Sequence, residues 1–255
     1  MCLILFCYLS HPEFRLILAA NRDEYHARPS APPEFWSEQP HLLAGRDLVA
    51  GGTWLGITRL GKIAAVTNYR DPASLKNNAP SRGRVVQKYL AGDIPPLEYL
   101  AEIQEKAEEY NGFNLLIGDR ESFYWYSNRS GSPLKFSSGV FGISNHLLDT
   151  NWPKVVRGKE MLAGIVTETA PSPEELFRML RDETPASDEL LPSTGVTLER
   201  ERMLAPIFIR HPVYGTRSST IILVGYDDRV LFLDRSFGAD QDRAEERRFE
   251  FSLGK

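Results

Sequence analysis

The first twenty residues constrain the fold more than any other stretch. Cys2-Leu3-Ile4-Leu5-Phe6-Cys7-Tyr8-Leu9 carries no charge, and after Ser10-His11-Pro12-Glu13 a second apolar run extends from Phe14 to Ala20. A strand with one wet face alternates apolar and polar residues, whereas one that is apolar at nearly every position is covered on both faces. Two such runs joined by a short turn predict a hairpin of adjacent antiparallel strands, in a sheet enclosed between other layers.

The remaining chain reads as alternating blocks of strand and helix. A second hairpin is predicted at Thr53 to Thr58 and Lys62 to Thr67, turned by Arg59-Leu60-Gly61. Helices are predicted near Arg84 to Leu90 and from Pro96 to Tyr110, where Leu97, Leu100, Ile103 and Ala107 share a stripe before the stop Asn111-Gly112. Strands return at Phe113 to Ile117, Phe123 to Tyr126 and Val140 to Ser144. Val155, Leu162, Ile165 and Val166 then mark a further helix, and Ser172-Pro173-Glu174-Glu175 reads as a capping box with proline in the first helical position. Residues 184 to 197 read as loop, and Ile207 to Arg210, Thr220 to Tyr226, Val230 to Asp234 and Phe249 to Ser252 as the closing strands. The pattern suits two antiparallel sheets with helices outside each; periodicity suits other α+β arrangements equally. A length of 255 residues is compatible with one domain spanning 1–255.

Composition removes several function classes. The net charge of -4 is spread along the chain without a basic stripe, which argues against nucleic acid as a partner. The charged stretch from Ala239 to Arg248 reads as a solvated loop. The N-terminal apolar run has no basic region before it and is too short for a membrane span or signal peptide. Cys2 and Cys7 are the two cysteines, and in one strand their side chains face opposite sides, so no disulfide is expected and a reducing, cytoplasmic setting is. His11, His26, His41, His146 and His211 show no ligand spacing, so no metal is expected. Gly51-Gly52 lacks the lysine and helix of a phosphate cradle, and Trp36, Trp54, Trp125 and Trp152 read as packing residues.

Chemistry concentrates at the N-terminus. If Met1 is removed, Cys2 carries a thiol and a free α-amine together, a nucleophile with its base attached. Free thiols titrate near about 8.5 and α-amines near about 7.7 to 8.0, so the amine can accept the thiol proton near neutral pH. In the predicted hairpin the far end of the second strand returns to the start of the first, which brings Asn21-Arg22-Asp23-Glu24 to Cys2. A guanidinium there would favour the thiolate, and a carboxylate could hold the amine.

Met1-Cys2 and Asn21-Arg22-Asp23-Glu24 are followed in order by five further strings: Gly51-Gly52-Thr53-Trp54-Leu55-Gly56, Thr67-Asn68-Tyr69, Tyr110 to Leu115, Gly142-Ile143-Ser144-Asn145 and Gly215-Thr216-Arg217. Taken together they resemble the NRDE-motif family, also called the transport and Golgi organisation protein 2 family, along essentially the whole chain. The resemblance implies an N-terminal-nucleophile-hydrolase-like fold, the four-layer αββα sandwich, distantly related to cysteine-type acylases. Carried over, Cys2 is the nucleophile, Arg22 or Asn21 lies beside the thiol, and Asp23 fixes the amine. Asn68 donates to the oxyanion, Asn145 orients the amine or oxyanion, and Arg217 completes the network. The acylases have arginine, asparagine, any residue, aspartate, where this chain has Asn21-Arg22-Asp23, so Asn21 rather than Arg22 aligns with their arginine. Read from the residues alone, Arg22 and Asp23 also fit a strand-end ion pair, Asn68 a turn former, Asn145 a helix entry and Arg217 a loop bridge.

The activity implied is hydrolysis of an amide or (thio)ester of a small amphipathic acyl compound through a Cys2 thioester, with no cofactor required. The resemblance also links the family to haem trafficking and to lipid or acyl-coenzyme A homeostasis. A different class of function therefore stands beside the first, a non-catalytic carrier for haem or acyl lipid on the same fold. The chain has no covalent haem attachment motif.

Overall fold

β1 (Cys2–Tyr8) and β2 (Phe14–Tyr25) form the hairpin that the two apolar runs predict. The structure is a computed structural model that describes residues 2–167 and 171–254. His11 ties the turn from within, its Nδ1 accepting from the backbone N–H groups of Glu13 at 3.1 Å and Phe14 at 3.2 Å. Every residue of β1 is buried, as a strand without alternation requires.

The further strands are β3 (Ser30–Trp36), β4 (Gln39–Asp47), β5 (Leu55–Thr58), β6 (Ile63–Asn68), β7 (Phe113–Gly118), β8 (Phe123–Ser127), β9 (Leu134–Lys135), β10 (Gly139–Ile143), β11 (Tyr214–Gly225), β12 (Arg229–Phe237) and β13 (Ala244–Ser252). The helices are α1 (Arg82–Ala91), α2 (Pro96–Glu105), α3 (Pro153–Ile165), α4 (Pro173–Leu180) and α5 (Leu198–Leu204). Two units result. The first holds residues up to 28, 137–144 and 148–251, and its sheet runs β10-β1-β2-β11-β12-β13. The second holds 29–136, 145–147 and 252 onward, with the sheet β3-β4-β5-β6-β7-β8-β9. The strand pairs from β1–β10 to β11–β12 in the first sheet and from β3–β4 to β8–β9 in the second are antiparallel, and the class is α+β with two antiparallel sheets.

In the first unit, Leu3, Leu5, Cys7, Ile17, Ala19, Ile221, Leu223 and Leu233 form the face against which α3 and α4 pack with Val155, Leu162, Leu176, Phe177 and Leu180. Close approach of α3 depends on Gly158, where an added Cβ would lie 2.6 Å from Leu5 Cδ1. Alternate residues form the opposite face in rows set by the register, and Ile4, Ala20, Thr220 and Asp234 make up one of them. In the second unit, α1 and α2 pack Val85, Val86, Tyr89, Leu100 and Ile103 against Ala64, Val66, Phe113, Leu115 and Ile117.

Several expectations need correction. β3 is an edge strand with irregular pairing between Ala31 and Glu34, where Pro32 and Pro33 are tolerated. β3, β4 and α5 went unread. Ile207 to Arg210 is not a strand: Ile207, Phe208 and Ile209 are buried, but their backbone groups serve other partners, Phe208 N–H donating to Asp182 O and Ile209 O accepting from Thr216 N–H. The charged stretch beginning at Ala239 enters β13, an edge strand whose exposed charges discourage pairing with another chain. Pro173 does open α4, but the Ser172 side chain makes no capping hydrogen bond. The helix expected over 96 to 110 ends at Glu105 and continues as a 3-10 turn, Ala107–Glu109. Among the described residues, no helix is long and apolar enough to cross a membrane.

One carboxylate lies inside the first sheet. Asp234, 2% exposed, accepts from Thr220 Oγ1 at 2.7 Å and Ser236 Oγ at 2.8 Å, and burial pushes its pKa up to about 6. An unfolded aspartate ionises near 3.9, so between these values the folded state holds a proton that the unfolded state has lost. Rising pH therefore destabilises the fold through this group, by up to about 3 kcal/mol. Relative to wild type, Asp234→Asn should gain stability from pH 4.5 to about 6 and then level off in urea unfolding; a pH-independent difference would contradict the assignment. Leu5→Ala, which removes a fully buried side chain between β1 and α3, should lower stability by about 2 to 5 kcal/mol in the same assay.

Candidate functional site

The β1–β2 register sets Cys2 directly opposite Arg22 and Leu3 opposite Asn21. Successive residues of a strand face opposite sides, so the four residues from Asn21 to Glu24 divide between two faces. Arg22 and Glu24 share the Cys2 side. Asn21 and Asp23 lie on the side of α3 and α4. Asn21 aligns with the acylase arginine, yet it is Arg22 that shares a face with the thiol.

Asn21 is fully committed elsewhere. Its Nδ2 donates to Leu180 O at 2.7 Å and Ile207 O at 2.9 Å, and its Oδ1 accepts from Ser219 Oγ at 2.6 Å, fastening β2 and β11 to the end of α4. Asp23 Oδ1 accepts from Thr216 Oγ1 at 2.8 Å, and burial raises the pKa of the carboxyl, opposed chiefly by the charge of Lys154. The sequence reading missed Lys154. It is the second residue of α3 and only 3% exposed, although a cation at a helix N-terminus is disfavoured by the helix dipole. Asp23 supplies an opposing charge that makes a buried lysine tolerable there. Nothing in the local sequence marks it, since a lysine near a helix start reads as solvated.

The Cys2 thiol pKa is raised, first by burial and also by the Asp23 carboxylate, against the opposing effects of the Arg22 charge and the Asp23 backbone N–H. Contrary to the expectation drawn from Arg22, burial outweighs the guanidinium and the resting group is a thiol. Cys7 is also buried, on the helix side, and both cysteines are free. The Cys2 carbonyl accepts from Ser144 Oγ at 3.1 Å.

Arg217 occupies an irregular step in the β2–β11 pairing between Thr216 and Ser218. Its Nη1 donates to the carbonyls of Tyr25 at 3.0 Å, His26 at 3.0 Å and Arg28 at 3.2 Å, clamping the turn that follows β2. Burial and then the Arg22 charge lower its pKa.

Asn68 and Asn145 belong to the second unit, where they are neighbours. Asn145 Nδ2 donates to Asn68 O at 2.9 Å, and Asn145 O accepts from Arg70 N–H at 2.7 Å. Asn145 follows β10 rather than entering a helix. The Asn68 side-chain amide makes no hydrogen bond among the described residues. Next to this pair, Asn114 Nδ2 donates to Thr67 Oγ1 at 3.1 Å and His146 O at 2.9 Å, and Tyr69 Oη lies 2.8 Å from His146 Nε2.

Comparison with solved structures shows the fold. A C2A mutant of conjugated bile acid hydrolase from Clostridium perfringens matches at a TM-score of 0.56 and 9% identity, covering 100% of this chain and 98% of that one. An N-acylethanolamine-hydrolyzing acid amidase ortholog from Caenorhabditis elegans matches at a TM-score of 0.53 and 8% identity, covering 87% and 92%. The fold is therefore N-terminal-nucleophile-hydrolase-like, as the sequence resemblance implied. In sequence, a Transport and Golgi organization protein 2 homolog from Bos taurus is 37% identical over 275 residues, covering 99% of both chains. The family described as Transport and Golgi organisation 2 matches residues 1–239, and the chain belongs to that family.

Proposed function

We propose that this protein is an N-terminal-cysteine hydrolase that cleaves an amide or (thio)ester bond of a small acyl compound through a thioester on Cys2. The observation that carries this reading is the placement of Cys2 directly opposite Arg22 in the β1–β2 register. The fold shared with a bile acid hydrolase and an acid amidase supports the reaction class.

The buried thiol rests protonated and needs a base. Once Met1 is removed, the Cys2 α-amine is the base nearest in covalent structure, with a pKa of about 7.7 to 8.0. The amine takes the thiol proton and Sγ attacks the carbonyl carbon, forming the S–C bond of a tetrahedral adduct. As the adduct collapses, the bond to the leaving group breaks and the ammonium returns its proton to that group. Water, deprotonated by the same amine, then attacks the thioester carbonyl and restores the thiol. Asp23, whose carboxyl feels the charge of Lys154, is the residue that this proposal assigns to holding the ammonium form. A hydrogen-bond donor to the tetrahedral oxyanion typically contributes a factor of about a hundred to a thousand.

Intact mass of the purified native protein, before and after an electrophilic acylating probe, tests the scheme. The expected result is a chain lacking Met1 with one adduct, retained in Cys7→Ser and absent in Cys2→Ala. A chain that keeps Met1 yet labels fully at Cys2, or labelling that survives Cys2→Ala, would overturn it.

A further inference from the structure

Arg22 is the most unusual polar residue in the first unit. Its side chain is 12% exposed, yet its guanidinium makes no hydrogen bond among the described residues. Its nearest carboxylate is Glu24, at 3.9 Å, which also faces Arg28 at 3.9 Å. A guanidinium offers five N–H donors in a planar fork, and among the described residues those of Arg22 are not taken up by a protein acceptor, which leaves them to solvent or a ligand. Arg217 adds a second cation close enough to be depressed by Arg22. The carboxyls of Asp23 and Asp234 also feel the Arg22 charge, but neither they nor Glu24 hydrogen-bonds its guanidinium among the described residues.

The row continues across the sheet. Arg22 pairs with Cys2 on one side and Ser218 on the other, and Ser218 pairs with Ser236. Ser218 is half-buried, and its hydroxyl also makes no hydrogen bond among the described residues. Ser236 Oγ is already committed to Asp234. Neighbouring strands lie about 5 Å apart, so Arg22 stands one strand spacing from Cys2 and Ser218 two. Two uncommitted donor groups, one of them cationic, thus line up on the face and at the level of the thiol.

We propose that Arg22 and Ser218 form an anion-binding subsite beside Cys2, so that the preferred substrate carries a carboxylate or a tetrahedral oxyanion such as phosphate within a few bonds of the attacked carbonyl. The proposal rests on Cys2 as the reacting atom, but its test requires no turnover. The bidentate geometry that guanidinium offers to such groups is the chemical basis of the preference.

The test compares iodoacetate with iodoacetamide as alkylating agents for Cys2, followed by intact mass and peptide mapping. In both reagents the sulfur displaces iodide, so any change in the thiol's acidity or access alters both rates together, and their ratio isolates the effect of the reagent's charge. The iodoacetate to iodoacetamide ratio at Cys2 should exceed that of a cysteine peptide and fall about tenfold in Arg22→Met, a loss of the size expected for one charge-assisted contact. Arg22→Lys should retain part of the preference, and Ser218→Ala should lose a smaller share. Inorganic phosphate and propionate, each added at constant ionic strength, should suppress the iodoacetate reaction selectively, and the stronger competitor identifies the anion class. An unchanged ratio in correctly folded Arg22→Met would overturn the subsite while leaving the hydrolase reading intact. If Cys2 reacts with neither reagent, the hydrolase reading fails, and the subsite is decided by thermal unfolding. Stabilisation of wild type by phosphate or propionate over chloride, absent in Arg22→Met and partly retained in Arg22→Lys, supports it; no stabilisation overturns it.

Discussion

The register between β1 and β2 is the constraint on which the rest depends. Because side chains alternate with a period of two, a slip of one residue would exchange Leu3, Leu5 and Cys7 on the helix side for Cys2, Ile4 and Phe6, and would move Arg22 away from the thiol. Both flanks oppose such a slip. β10 sets Ile143 against Ile4, and β11 sets Ser218 against Arg22 and Ile221 against Ala19. Hydrogen bonds reinforce this at the site itself, where Ser144 reaches the Cys2 carbonyl and Asn21 reaches across to Leu180 and Ile207.

Seen this way, Asn21-Arg22-Asp23-Glu24 is a two-sided device. Asn21 and Asp23 anchor the strand to the helix side, through the carbonyls of Leu180 and Ile207, the Thr216 hydroxyl and the charge of Lys154. Arg22 and Glu24 face the other way, on the level of Cys2. Consecutive polar residues at the end of an apolar strand are what such a division requires, since each face needs its own polar groups. The irregular step at Arg217 belongs to the same arrangement: it shifts the pairing of β11 between Asp23 and Arg22 and frees a guanidinium to clamp the turn at Tyr25 to Arg28.

The electrostatics turn on burial more than on neighbouring charge. Near the thiol, desolvation outweighs the Arg22 guanidinium, so the chain does not store a thiolate and depends on a base at the moment of reaction. The same dominance of burial appears at Asp234 and Arg217. A cationic residue adjacent to a cysteine in sequence or register is thus a poor guide to the state of that cysteine until its exposure is known.

The N-terminal sequence by itself determined the hairpin, its double-sided burial and the meeting of Cys2 with Arg22, because unbroken apolar runs admit one placement and antiparallel pairing brings strand ends together. The ordered motifs also identified the family and the α+β class. Which face each member of the polar cluster takes is implicit in the same alternation once the register is known. Tertiary structure alone decided the rest. The role of Asn21 as a fastener, the burial of Lys154 beside Asp23, the open donors of Arg22 and Ser218, and the non-strand path of Ile207 to Arg210 all depend on partners distant in sequence. Local pattern reports how a segment divides between water and the interior, whereas the hydrogen bond a buried group makes, and the charge it retains, are set by whichever segment is packed against it.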